Sequence, residues 1–430
     1  DGDGSPDLAA PCTSTIKSYY PNFLGTEVSV LLGSGTGNFA SSATKYTIPG
    51  TGPWGIASGD FNADGNRDIA VACYTSNELI IMFGDGTGGF PNSGTGNLNY
   101  MTISLGQGMA PTGLTTYNFD RASGDDLVVC DGVSGQVMVF ISHGGGVGSP
   151  PAGFRLAATL QITDADGGDS VNPMAMDATV ANFTNDSGAN GNARDGTGLV
   201  DIAVTDYAYD QVVIFEGTAP DAWGSQTAYT VDPNFSTPPI SNLKPVGIDF
   251  GFFNGDIATD TTPDIVVANN GAINTYHGIS ILTNTGNTTG NYLNAPIEYG
   301  CASSYPRYFW DVLVYDLDND GFDDIAATAR NVRPNLGLLS DTYYYRYSSV
   351  VVWEGEGNGT FTGWQYSDQR GSYYYPGTYR WFPTAVCVID FGGQEHGSPG
   401  APLPDLAVVN QSQTTYAYSN KLVIIENRSN

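Results

Sequence analysis

Positive charge is what this chain lacks most. Its 430 residues carry 15 Lys and Arg against 44 Asp and Glu, a net charge of −29. Such a balance argues against nucleic acid and against anionic membrane surfaces as partners. Long apolar runs are missing too. No run reaches the roughly 18 apolar residues of a membrane-spanning helix, so no membrane insertion is expected. There are only three histidines, His143, His277 and His396, and none stands in a nucleophile or metal motif. The five cysteines, Cys12, Cys73, Cys130, Cys301 and Cys387, show no metal-type spacing. Equivalent positions in different repeats lie out of disulfide reach, so buried free thiols are expected, with one pair involving Cys301 or Cys387 left open. No window shows helical periodicity, and these residues include no signal-peptide pattern, although the chain starts inside a repeat and upstream residues are expected.

What the chain does have is an acidic loop that keeps returning. In "SGDFNADGNRDIAVA", residues 58–72, Asp60, Asn62, Asp64 and Asp68 fall close together, Gly65 marks a sharp turn, and "DIAVA" reads as a buried strand. One copy could be an ordinary acidic turn. "DLDNDGFDDIAATA" repeats the offsets with Asp316, Asp318, Asp320, Gly321 and Asp324. "DGDGSPDLAA" supplies Asp1, Asp3, Gly4 and Asp7, as if the chain began two residues into the loop. Looser copies hold Asn118, Asp120 and Asp126; Asn182, Asp186 and Asp201; Asn254, Asp256 and Asp264; and Asp390 with Asp405. The Asp that opens each apolar run falls at 7, 68, 126, 201, 264, 324 and 405, roughly 66 residues apart on average.

Each acidic loop sits in a fixed order of signals. A Pro and a short apolar segment precede it, as in "PWGIASGD", "PTGLTTYN" and "PTAVCVID". A second apolar run follows, such as "EVSVLLG", "ELIIMFG" or "SVVVWEG", often entering a Gly-rich turn like "GDGTGGF" or "GEGNGTF". A weaker strand precedes the next Pro. Four short strands per unit describe a propeller blade, and seven units predict one all-β domain over 1–430, a seven-bladed β-propeller of four-stranded antiparallel blades.

"DFNADGNRDIAV" followed by "LIIMFGDGTGGF" resembles the FG-GAP or VCBS repeat of integrin alpha-subunit propellers, some fungal lectins and many bacterial secreted proteins. The resemblance spans nearly the whole chain, closest in units 2 and 6, good in unit 1 and degenerate in units 3, 4, 5 and 7. It implies a seven-bladed propeller with calcium in the loops between first and second strands. It implies no single activity. The loop chemistry agrees with calcium. Hard oxygen ligands at alternate positions can turn toward one centre, while magnesium prefers a small octahedron and softer metals want His or Cys. The ligand set expected for unit 2 is Asp60, Asn62, Asp64, the carbonyl of Asn66, and Asp68. For unit 6 it is Asp316, Asp318, Asp320, the carbonyl of Phe322, and Asp324. Asp1, Asp3 and Asp7, Asn254, Asp256 and Asp264, Asp186 and Asp201, and Asp390 and Asp405 are the candidates elsewhere. Sites of this kind suit a compartment with millimolar calcium, so an extracellular location is expected. Sequons at Asn182, Asn287 and Asn358 occur about as often as chance gives.

Aromatic residues crowd the other links, in "KSYYPNF", "EYGCASSYPRYFW", "TYYYRYSS" and "GWQYSDQRGSYYYPGTYRWF". Strands alternate direction, so links between second and third strands, and passages to the next unit, emerge opposite the acidic loops. The candidates on that Tyr-rich sector are Tyr19, Tyr20, Tyr305, Tyr308, Tyr344, Tyr374, Tyr375 and Trp381. Tyr offers wide apolar area and a hydroxyl at low entropic cost. The reading is a non-catalytic adhesion or recognition module for a glycan or an extracellular protein. A structural subunit that self-associates into a sheet or filament is the alternative. A polysaccharide lyase or phospholipase-like hydrolase is the second alternative. The chain opens inside the unit 1 loop and stops after "KLVIIEN". It therefore reads as a fragment of a longer chain, and flanking residues or a neighbouring subunit are expected to supply the missing strands.

Overall fold

The computed structural model describes residues 1–12, 25–34, 39–40, 42–90, 100–122, 124–143, 153–163, 172–184, 199–232, 243–254, 262–271, 278–287, 291–300, 307–332, 346–367, 381–389, 404–412 and 421–425. The described residues form strands and turns with no helix, and the strands make seven antiparallel sheets. The first sheet holds β1 (Leu8–Cys12), β2 (Glu27–Leu31) and β3 (Thr44–Thr47). The second holds β4 (Pro53–Gly59), β5 (Asp68–Cys73), β6 (Glu78–Met82) and β7 (Tyr100–Ser104). The third holds β8 (Pro111–Tyr117), β9 (Asp126–Asp131), β10 (Gln136–Ser142) and β11 (Phe154–Gln161). The fourth holds β12 (Ala175–Ala181), β13 (Asp201–Asp206), β14 (Gln211–Ala219) and β15 (Ala222–Thr230). The fifth holds β16 (Pro245–Gly251), β17 (Asp264–Asn269), β18 (Ile279–Leu282) and β19 (Ile297–Tyr299). The sixth holds β20 (Arg307–Tyr315), β21 (Asp324–Val332), β22 (Arg346–Gly355) and β23 (Phe361–Ser367). The seventh holds β24 (Trp381–Ile389), β25 (Asp405–Ser412) and β26 (Lys421–Ile425). Within every sheet the strands pair in chain order, so each sheet is one repeat.

Burial follows the sequence pattern. The apolar second strands, such as β5 "DIAVAC" and β9 "DLVVCD", are buried along their whole length. Outer strands alternate, as in β7 "YMTIS", where every second residue is exposed. A strand buried on both faces needs a neighbour on each side. Successive sheets supply it through six apolar clusters in series. Val28, Ile69 and Met82 join sheets one and two. Ala70, Leu127 and Phe140 join two and three. Val139, Val180 and Ile202 join three and four. Phe183, Ile214 and Ile265 join four and five. Phe253, Ile279 and Ile325 join five and six. Leu317, Val350 and Leu406 join six and seven. Each fully buried Leu, Ile or Phe contributes about 1.5–3 kcal/mol, so these junctions hold the array together. The array is that of propeller-like repeats.

First strands open on Pro53, Pro111 and Pro245, where a missing amide donor is tolerated, and then bulge once against the second strand. The turn from first to second strand then carries the acidic loop.

Candidate metal-binding loops

Three loops share one hydrogen-bond pattern. In unit 2, both Asp60 oxygens accept backbone amides, from Asp64 at 3.1 Å and Gly65 at 2.9 Å. Asn62 Oδ1 accepts from Asp64 N at 3.0 Å, and Asp64 Oδ1 accepts from Asn66 N at 2.8 Å. Unit 6 repeats this residue for residue. Asp316 accepts from Asp320 at 3.1 Å and Gly321 at 3.0 Å, Asp318 from Asp320 at 3.1 Å, and Asp320 from Phe322 at 2.9 Å. Unit 1 keeps the second half, with Asp1 accepting from Asp3 N at 3.1 Å and Asp3 from Ser5 N at 2.7 Å. The turn takes a left-handed residue at two places: Gly2, Ala63 and Asn319 stand at the first with φ of 77°, 58° and 60°, and Gly4, Gly65 and Gly321 at the second with φ of 86°, 86° and 94°. The loop shape is thus fixed by chain geometry and side-chain-to-backbone bonds.

The residue after the first loop position anchors the loop. Phe61, Phe119, Phe253 and Leu317 are all buried in the junctions between sheets. Their amides meet the closing Asp, which is a clamp. Asp68 accepts from Phe61 N at 2.9 Å with one oxygen and from Gly84 N, at the end of the third strand, at 2.9 Å with the other. Asp126 does the same for Phe119 and Ser142, Asp201 for Thr184 and Gly217, Asp264 for Phe253 and Asn284, and Asp324 for Leu317 and Gly355. Asp7 accepts from Gly33 N at 2.9 Å and meets the Asp1 amino group with its other oxygen. The clamp therefore persists in units 3, 4 and 5, whose loops have lost the acidic pattern.

Among the described residues, unit 6 fits a cation best. One oxygen each of Asp316, Asp318 and Asp324 lie within 4.8 Å of one another. Hard carboxylate oxygens gathered at that spacing match calcium, whose ligands stand roughly 2.3–2.6 Å from the ion. Burial raises Asp316, Asp318 and Asp320 above the usual carboxylate range, and like-charged neighbours add to it. Glu354 and Glu356, on the strand end and turn beside the loop, add negative charge to Asp318 and Asp320. Burial pushes Asp68 and Asp324 up to about 7 and Asp126 to about 6. A bound cation would oppose these shifts by favouring the ionised form. In unit 2, Asn62 replaces one acid and its amide donates to Asp64 at 3.0 Å.

Unit 5 differs from units 2 and 6 at its first loop position. Gly251 pairs with Asp264 as Gly59 pairs with Asp68, so the first loop position is Phe252, an apolar side chain buried to 1 % exposure. Asn254 falls at the third position, where its amide donates to Asp264 at 3.3 Å. Asp256, Asp186 and Asp390 lie outside the described residues, while Asp405 opens β25.

The Tyr-rich candidates Tyr19, Tyr20, Tyr305, Tyr344, Tyr374 and Tyr375 lie outside the described residues; Tyr308 is half-buried on β20 and Trp381 opens β24. At the sheet ends opposite the acidic loops, Trp54 packs on Tyr74 with ring centroids 5.7 Å apart, and Lys244 Nζ lies 4.3 Å from the Tyr207 ring. His143 is exposed, and His277 and His396 lie outside the described residues. Cys12, Cys73, Cys130 and Cys387 are free thiols, and Cys301 lies outside the described residues. Asn182 is buried, which rules out its sequon in the folded chain; Asn287 and Asn358 are exposed.

Two acids escaped the sequence reading. Asp125 accepts from Asp60 N at 2.8 Å, and Asp323 from Phe252 N at 2.8 Å. Each stands just before a closing Asp and reaches back to the loop of the preceding sheet. The doublets "GDDL" and "FDDI" were the available signal: they hold one acid more than the loop pattern uses.

Residues 1–71 match the family model of the FG-GAP-like repeat. No curated protein matches the chain. Among solved structures, the chain is similar to BBS1N, crystallised with ARL6DN and soaked with lead, at 10% identity and a TM-score of 0.36, covering 87% of this chain and 92% of that one. It is similar to the S. cerevisiae Core Factor at 9% identity and a TM-score of 0.47, covering 99% of this chain and 58% of that one. It is similar to a Bacillus licheniformis rhamnogalacturonan lyase at 12% identity and a TM-score of 0.35, covering 95% of this chain and 81% of that one. At such TM-scores shape alone does not identify a shared fold. No helix among the described residues is long and apolar enough to cross a membrane.

Proposed function

We propose that the seven sheets are blades of one closed β-propeller, that its acidic loops take calcium outside the cell, and that the ring is a non-catalytic recognition module for a glycan or an extracellular protein. The observation that carries the reading is the gathering of Asp316, Asp318 and Asp324 in a loop whose hydrogen bonds are repeated in units 2 and 1. Asp316, Asp318, Asp320 and Asp324 would hold the ion in unit 6, Asp60, Asn62, Asp64 and Asp68 in unit 2, and Asp1, Asp3 and Asp7 in unit 1. Calcium supplies the positive charge these carboxylates lack. The chain's own part is to hold the oxygens in place: the backbone amides fix the acids, Phe61 and Leu317 anchor the loop in the core, and the closing Asp ties it to the third strand.

The recognition surface is the face away from these loops. The Tyr-rich links of the sequence would supply flat rings for sugar stacking and hydroxyls for polar contact. A glycan array with a size-exclusion profile, each run with and without calcium, tests the reading. Binding of a defined glycan or protein by a monomer supports it. Self-association into large species would favour the structural subunit, and turnover of a polysaccharide would overturn the non-catalytic assignment.

A further inference from the structure

Three carboxylates join the first strands of sheets four to seven, and the repeat pattern uses none of them. Asp177 lies on β12, Asp249 on β16 and Asp311 on β20. Each gives one oxygen to the amide that follows it: Ala178 at 3.0 Å, Phe250 at 2.9 Å and Val312 at 3.0 Å. The other oxygen crosses to the next sheet. Asp177 accepts from Ile248 at 3.4 Å, Asp249 from Val314 at 2.8 Å and Asp311 from Val386 at 2.9 Å. The links run from β12 to β16, on to β20, and on to β24. Two of these acids sit at the first-strand bulge, where their own amides donate to the hydroxyls of Thr205 and Thr328, each at 3.1 Å.

The charged surroundings are acidic. Asp311 and Asp249 face Asp177, and Asp311 and Asp323 face Asp249. The thiols of Cys130 on β9 and Cys387 on β24 feel the charges of Asp177 and Asp311. Among the described residues none of the three acids forms an ion pair. Gly113 on β8 leaves room against Asp177, since a side chain there would meet its carboxylate and backbone. Like charges enclosed by protein repel strongly, whereas a neutral carboxyl can still accept the cross-sheet amide through its carbonyl oxygen and weakens only its bond to the amide that follows it.

We propose that Asp177, Asp249 and Asp311 form a proton-operated latch: neutral, they hold the first strands of sheets four to seven together, and ionised, they push those strands apart. Burial supports this by raising Asp249 to about 7, Asp311 to about 6 and Asp177 well above its ordinary value, against the two amide bonds to each acid, which pull the other way. The native state then keeps protons that the unfolded chain has shed. The stabilisation is full in acid and is lost as pH rises through about 6 to 7.

Hydrogen–deuterium exchange on the whole chain, in saturating calcium chloride from pH 5 to pH 8, tests the latch. After correction for intrinsic rates, the amides of Ile248, Val314 and Val386 are expected to lose about tenfold or more of their protection across the window. Asp311→Asn keeps an acceptor oxygen and cannot ionise, so it should flatten the loss at Val386. If that variant does not fold, the wild-type exchange decides alone. Protection at the three amides that stays constant from pH 5 to pH 8 overturns the latch, as does an Asp311→Asn variant with unchanged pH dependence.

Discussion

Asp323 accepts a hydrogen bond at 2.8 Å from the amide of Phe252, a residue of the preceding sheet, while its neighbour Asp324 turns to clamp its own loop. Two adjacent acids thus serve two sheets. Asp323 is 1 % exposed, so truncating it would leave a buried amide without its carboxylate partner. We expect Asp323→Ala to cost about 1–3 kcal/mol. Calcium affinity should change little, because Asp323 gives an oxygen to Phe252 of the preceding sheet and is not among the ligands expected for its own loop. Denaturant unfolding alongside a calcium titration checks both halves.

The closing Asp should matter even where no cation is expected. Asp126 is fully buried and satisfies the amides of Phe119 and Ser142. Asp126→Ala removes both acceptors, and the expected loss is on the order of 2–6 kcal/mol. Added calcium should not restore it. A variant rescued by calcium would show that Asp126 acts through a metal.

Removing calcium should lower the melting midpoint. An ion that binds the native loops and not the unfolded chain stabilises by about 2.7 kcal/mol per site at a hundredfold excess over its dissociation constant. Asp318→Asn should weaken the unit 6 site and leave that of unit 2 in place. Melting curves in chelator and in calcium, for wild type and variant, measure this. An identical midpoint in both solutions would sink the calcium reading.

The calcium-free protein should lose stability as pH rises. Burial holds Asp68 and Asp324 at about 7 and Asp126 at about 6, above the usual carboxylate value of about 4. The native state therefore binds more protons than the unfolded chain between about 4 and 7, and its advantage is lost as pH climbs through the upper value. In calcium the loop acids are held ionised, so the loss should shrink. Melting midpoints at pH 5 and pH 8, with and without calcium, show the sign.

Replacing Tyr344, Tyr374 and Tyr375 by Ala should weaken ligand contact and leave calcium-dependent stability nearly intact, as expected of two sites that act independently. Binding and melting assays on the triple variant separate the effects. Loss of the fold would mean that these rings fill the core.

The sequence by itself determined the repeat, its strand order and its acidic loops. Pro, "DIAVA" and Gly-rich turns are local signals, and a two-face-buried strand needs an unbroken apolar run that can be read in one dimension. The loops of units 1, 2 and 6 were legible because their bonds lie within eight residues, as from Asp60 to Gly65 or Asp316 to Gly321. Only the tertiary structure decided the rest. The partner of Asp324 on Gly355 lies 31 residues away, and those of Asp323 and Asp311 lie 71 and 75 away in other sheets. The register of unit 5, where Phe252 takes the place of an acid, was set by the pairing of Gly251 with Asp264. Contacts between sheets depend on which strand faces which. Spacing along one chain carries no record of that, so the links that join the repeats were written only in three dimensions.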